Sequence, residues 1–369
     1  MNCKGKCSEF EEMMGVPVKG AAQQRNEYID FLRGIGAVGI IAIHTAFWSG
    51  QSYTPPWFWN LTLFLDVPLF FYLSGWGSSY RKNNIILVAK SLLSIWHKWV
   101  FFVSILAIFC FVSKWSPASF QGVSDIGDLA NNYMFNVSIP GFCVVAGSIW
   151  FMPIYAVVVF VNSVILTFIQ KSDNKGEAQN AYMWLLLALF VWISFGKYFL
   201  GLDITYFCFY GFFWMMGYQI RGKANGIKSF LAAILLCILG IYLFSAIQGI
   251  PLYDIQSAKF PPTLKYGSVS MISILIAKFM EQYISKYNKV LVHIGKNAIF
   301  YYFGQGVGSS LSYSFISVVP IEFWPLKWLL TFMFNVAVTT TIAEFLALFY
   351  RKFCDCIRAF CKDTRVTEQ

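Results

Sequence analysis

Two residues of the first apolar run have chemistry that its neighbours lack. Residues 28–48 read YIDFLRGIGAVGIIAIHTAFW and include Arg33 and His44. A titratable group in a membrane span is costly, so each is a functional candidate by default. Eleven helical residues turn the chain through three turns plus about 20°, which puts both side chains on one face about 16 Å apart. Neutral imidazole is a general base near neutral pH, and a guanidinium holds phosphates bidentately. The pair could hold a phosphorylated donor at one end and move a proton at the other. The plainer reading is that Arg33 snorkels to the inner interface and His44 hydrogen-bonds a neighbouring helix. Gly34, Gly36 and Gly39 lie between them and open that part of the helix to a ligand or to another helix.

Further candidates surround this pair. Asp30 opens the first run and Asp66 the second; either could orient His44 or pair with Arg33, and Asp30 could equally cap a helix. Ser74 and Gly75 suit a site lining or helix packing. Arg81 and Lys82 suit phosphate binding or simple orientation in the bilayer. Trp57, Trp59 and Trp150 could stack on a sugar, although an interfacial belt is the commoner use of Trp. Lys265 and Tyr266 face an outer loop and could meet an acceptor or donor there. Glu344 falls inside the last run and requires a partner or a proton. His97 and His293 sit near the inner surface. No Gly-rich phosphate loop, metal-ligand cluster or Ser-His-Asp spacing stands out.

The elements that must position these residues follow from composition. Of 369 residues, 57% are hydrophobic and 12% charged, and the mean hydropathy is +0.58. Soluble proteins carry about 25% charged residues, so lipid must solvate most of this surface. Ten runs reach the roughly 20 apolar residues of a spanning helix: 29–48, 64–80, 97–113, 149–169, 181–200, 204–220, 229–247, 264–280, 298–318 and 327–350. The expected fold is all-α, a polytopic transmembrane helix bundle of about ten spans. Continuous rather than alternating apolarity argues against a β-barrel.

The net charge of +10 is distributed as a topology signal rather than a nucleic-acid surface. With the N-terminus inside, 22 of the 28 Lys/Arg fall on inner segments and five outside: Lys114, Lys197, Lys259, Lys265 and Lys327. That asymmetry puts both termini in the cytoplasm. The expected organisation is a polar segment 1–27 with no cleavable signal, a transmembrane domain 28–350, and a basic tail 351–369. Residues 85–96 are expected as an amphipathic helix on the inner surface. The outer loop 114–148 is long enough to lid or line a site. No internal repeat of the transporter kind is evident. Of nine cysteines, five lie in the predicted tails, and Cys354, Cys356 and Cys361 lack a zinc spacing.

The string Ile29-Asp30-Phe31-Leu32-Arg33-Gly34, with His44 after ten intervening residues, resembles the signature of the acyltransferase 3 family. The next span, with Phe70, Phe71, Tyr72, Ser74 and Gly75, is similar to the family's Phe-Phe…Ser-Gly element, and Arg81 follows it as in the family. Ser148–Pro153, Lys259–Tyr266 and Ile294–Asn297 resemble further family elements in order, so the resemblance runs from about 26 to 350. It implies transfer of an acyl group, often acetyl, from a cytoplasmic thioester to a sugar hydroxyl. His44 is implied as catalytic and Arg33 as its partner. Substrate contacts would come from Asp30, Asp66, Tyr72, Ser74, Arg81, Trp150, Lys265 and Tyr266. Many members have a His where this chain has Gln305, which leaves hydrogen bonding as that residue's role.

The reading that follows has acyl-CoA (acetyl-CoA) as donor substrate and no permanently bound cofactor or metal. The partners are a glycan or other hydroxyl acceptor and the lipid bilayer, with no nucleic acid, in the plasma (inner) membrane. The donor's thiol arm would run along the glycine face toward His44. A transporter or flippase using Arg33 and His44 for binding or proton relay is the alternative, and a receptor without turnover a third.

Overall fold

A computed structural model of the chain describes residues 26–81, 83–113, 132–135, 142–196, 204–219 and 226–366. Most of the polar N-terminal segment lies outside the described residues, as do most of the outer loop 114–148 and Lys82, Lys114, Lys197, Arg221 and Lys223. The described residues form thirteen α-helices and no strand. These are α1 (Glu27–His44), α2 (Pro56–Thr62), α3 (Val67–Ser79), α4 (Ile85–Ser113), α5 (Cys143–Ser148), α6 (Phe151–Ile169), α7 (Lys175–Ser194), α8 (Thr205–Gln219), α9 (Ile227–Gln248), α10 (Leu264–Met280), α11 (Lys289–Lys296), α12 (Ala298–Ser317) and α13 (Trp324–Val366).

Six segments are long and apolar enough to cross a membrane: Glu27–Gly50, Pro56–Ser79, Ile85–Phe109, Cys143–Ile169, Ile227–Gln248 and Trp324–Ala359. The other four predicted spans coincide with α7, α8, α10 and α12. Large apolar side chains such as Leu235, Leu236, Leu239 and Ile247 of α9 are exposed, a surface that water would not tolerate and lipid does. The protein is an all-α membrane bundle.

Three boundaries differ from expectation. Residues 85–96 do not form a separate surface helix. With no Gly or Pro between 85 and 113, they run unbroken into the predicted third span as α4. The last helix likewise passes residue 350 and carries the basic tail to Val366. The loop predicted at 281–297 contains α11, which starts where Asn288 accepts from the amides of Val290 and Leu291.

Close helix contacts are made through glycines. A Cβ on Gly75 would strike the Trp214 carbonyl, and one on Gly217 the Tyr72 carbonyl, so α3 and α8 meet backbone to backbone. Gly34 and Gly295 do the same for α1 and α11, against the Leu291 and Asp30 carbonyls. Two buried clusters result, one around Phe71, Trp76, Phe209 and Trp214, the other around Trp99, Phe102, Phe303 and Leu346.

Candidate functional site

Asn26, rather than Asp30, caps α1 by accepting from the amides of Tyr28 and Ile29. Asp30 sits one turn further on and is fully buried. Its carboxylate lies 3.4 Å from the Arg33 guanidinium, whose side chain is 30% exposed. Arg33 also reaches α3, where a Cβ on Gly77 would lie 3.2 Å from one of its terminal nitrogens. Asn26 Nδ2 donates to Tyr80 Oη at 3.0 Å, which places the start of α1 beside the end of α3 and the exposed Arg81.

At its other end α1 changes pitch. Thr45–Gly50 form a π-helical turn directly after His44, a local irregularity often found at functional sites. Thr45 donates to the Ile41 carbonyl at 2.8 Å and Ser49 to the Thr45 carbonyl at 2.8 Å. His44 Nδ1 is hydrogen-bonded to Gln305 Oε1 of α12. With the Gln305 oxygen toward it, this contact has Nδ1 as the donor, the tautomer in which Nε2 keeps its lone pair. His44 lies deep in the bundle but keeps surface accessible to water-sized molecules. Tyr302 has the same combination. Tyr302 donates to the Ser148 carbonyl and packs edge-on against Phe151, with ring centres 4.9 Å apart.

Within electrostatic reach of His44 is a buried ion pair. Asp66 Oδ2 lies 2.7 Å from Lys259 Nζ, with side-chain exposures of 2% and 8%. The same oxygen accepts from Tyr266 Oη at 2.8 Å, while Oδ1 caps α3 through the Val67 amide at 2.7 Å. Asp66 and Lys259 are both within electrostatic reach of His44. The Lys259 ammonium sits 5.7 Å from the Trp150 ring and 5.1 Å from the Phe260 ring. Trp150 packs against Tyr206, Tyr210 and Phe260. Trp57, by contrast, is 54% exposed.

Not every candidate faces this region. Tyr72 is sealed in the core against Trp76, and its hydroxyl has no partner. Lys265 donates to the carbonyls of Pro251 and Asp254, tying down the loop before α10. Ser74 bonds Tyr155 Oη at 2.9 Å. Together with Phe70, Gly77 and Ser78 it forms the partly accessible face of α3 that leads to Arg81. The glycine face of α1, expected to take the donor arm, is occupied. Gly36 is covered by the Phe70 ring, Gly39 by Leu65 and Gly34 by Leu291. Glu344 is paired, accepting from Tyr301 Oη at 2.8 Å and meeting His293 Nε2 at 2.7 Å.

Ser309, Asn335 and Thr339 escaped the sequence reading, and Lys259 entered it only as an outer-loop charge and as the first residue of the Lys259–Tyr266 element. Asn335 and Thr339 were detectable as polar residues one turn apart inside an apolar run. Lys259 was not, because a lone ammonium in an outer loop looks like any other loop charge.

The sequence profile of the acyltransferase 3 family, described as an acyltransferase domain, matches residues 26–344. No curated protein and no solved structure matches the chain. The matched stretch begins at the residue that caps α1 and takes in Arg33, His44, Asp66, Lys259, Gln305 and Asn335. The chain therefore belongs to the acyltransferase 3 family and is a membrane acyltransferase.

Proposed function

We propose that the protein transfers an acetyl group from cytoplasmic acyl-CoA to a hydroxyl of a cell-surface glycan or its precursor, with both termini in the cytoplasm. The observation that carries this reading is His44, partly accessible beside the π-helical turn that ends α1, with Nδ1 engaged by Gln305. The donor's phosphates would meet Arg33 and Arg81 at one end of the bundle. Its thiol arm would follow the partly accessible face of α3, past Gly77, Ser74 and Phe70, because the glycines of α1 are covered. Trp150 and its aromatic neighbours offer a flat face for a sugar ring.

In the chemical step Nε2 takes the proton of the acceptor hydroxyl as its oxygen attacks the thioester carbonyl. Collapse of the tetrahedral intermediate breaks the carbon–sulfur bond. The leaving thiolate recovers the proton from the imidazolium, so products are the ester and free CoA thiol. The test uses purified protein in nanodiscs with radiolabelled acetyl-CoA and membrane glycan. Label should pass to glycan with equimolar release of thiol, and His44→Ala should lower the rate at least about 100-fold, the lower bound for loss of a general base. An undiminished rate in His44→Ala would refute the reading. Consumption of no thioester by the wild type would favour a transporter.

A further inference from the structure

We propose that a buried hydrogen-bond relay of Thr339, Asn335 and Ser309, acting through Gln305, sets the tautomer of His44 with its proton on Nδ1. This rests on the reading of His44 as the base, because only that tautomer leaves Nε2 able to accept a proton.

The relay can be followed in one direction of donation, an arrangement that leaves Gln305 Nε2 buried without a partner. Thr339 Oγ1 donates to Asn335 Oδ1 at 3.1 Å. Asn335 Nδ2 then uses its two protons on Thr45 Oγ1 and Ser309 Oγ, both at 2.9 Å. Thr45 can only accept there, since its own proton goes to the Ile41 carbonyl. Ser309, having accepted from Asn335, donates to Gln305 Oε1 at 3.4 Å. That orients the Gln305 amide with its oxygen toward His44 Nδ1.

Thr45, Ser309, Asn335 and Thr339 are 0% exposed and Gln305 is 1% exposed, so bulk water is not available to reverse any link. Reversing the Gln305 amide would aim an N–H at Nδ1, move the imidazole proton to Nε2 and abolish the base. The relay spans three elements: the π-helical turn after α1, α12 and α13. Close approach makes it possible. A Cβ on Gly308 would lie 2.7 Å from Thr339 Oγ1, and one on Gly304 would lie 2.9 Å from the Thr339 carbonyl. The spacing Gly304-xxx-Gly308 thus admits α13 at the level of His44. Ser309 and Asn335 are positioning residues and need not touch substrate.

The chain has three histidines, so ¹⁵N-imidazole spectra of the full-length protein in nanodiscs can be assigned with His44→Asn. The wild type should show a protonated Nδ1 and an unprotonated Nε2 at His44. Ser309→Ala should give a tautomer mixture and a turnover number lowered about tenfold, with the KM for acetyl-CoA unchanged. In that background Gln305→Glu, whose carboxylate offers an oxygen in either orientation, should restore protonation of Nδ1. A wild-type proton on Nε2 would overturn the relay, and so would Ser309→Ala with both tautomer and turnover unaltered. These readouts stand apart from the catalytic assignment. An active His44→Ala would refute the base while leaving the tautomer measurement valid.

Discussion

Replacing Asp66 by Asn should destabilise the folded protein by about 3–5 kcal/mol, the range for breaking a buried ion pair from one side. At the 2.7 Å separation of Asp66 Oδ2 and Lys259 Nζ, the Coulomb attraction is about 6 kcal/mol for an effective dielectric of about 20. Desolvation of both groups offsets most of it, so the intact pair contributes little net stability. Losing one partner is different, because the Lys259 ammonium stays among the Trp150 and Phe260 rings with nothing to neutralise it. Asn preserves the side-chain volume and an oxygen for the Val67 amide, so the helix cap survives, while the oxygen that accepts from Lys259 and Tyr266 is replaced by an amide N–H2. The assay is unfolding by SDS in mixed micelles, followed by tryptophan fluorescence. Adding Lys259→Met to Asp66→Asn should bring stability back to within about 1–2 kcal/mol of the wild type, since both charges are then gone. A single variant as stable as the wild type, or a double variant no better than the single, would refute this account.

Three further outcomes follow from the packing. Gly75→Ala should reduce the yield of folded protein in size-exclusion chromatography, because its Cβ would enter the Trp214 carbonyl that α3 packs against; a normal elution profile would contradict the backbone contact. Asn26→Ala removes the oxygen that accepts from Tyr28 and Ile29 and should cost about 1 kcal/mol in the same SDS titration. Arg33→Gln should raise the KM for acetyl-CoA at least about tenfold, the equivalent of about 1.4 kcal/mol of lost phosphate binding. Its turnover number should change far less, whereas equal loss in both would argue for a structural role.

The placement of the candidate pair on one helix was legible in the chain. Arg33 and His44 share one helix, and within a helix the 3.6-residue repeat fixes which side chains share a face. The Asp30–Arg33 contact is likewise an i,i+3 pair. The residues that hold His44 were not legible. Gln305 lies 261 positions away, and Ser309 and Asn335 join it only because Gly304 and Gly308 admit α13. The three glycines of α1 were ambiguous for the same reason. A missing side chain marks a close approach without saying what approaches, and here Phe70, Leu65 and Leu291 do.

What the sequence by itself determined was the solvent, the helical class and the placement of Arg33 and His44 on one helix. Run length, charge content and helical period are properties of contiguous residues, so they survive without knowledge of neighbours. The tertiary structure alone decided that Gln305 engages His44, that Lys259 neutralises Asp66, and that α11 rather than a ligand covers Gly34. Those choices depend on the register between helices. That register comes from steric fit across the bundle, and no spacing along a single helix encodes it.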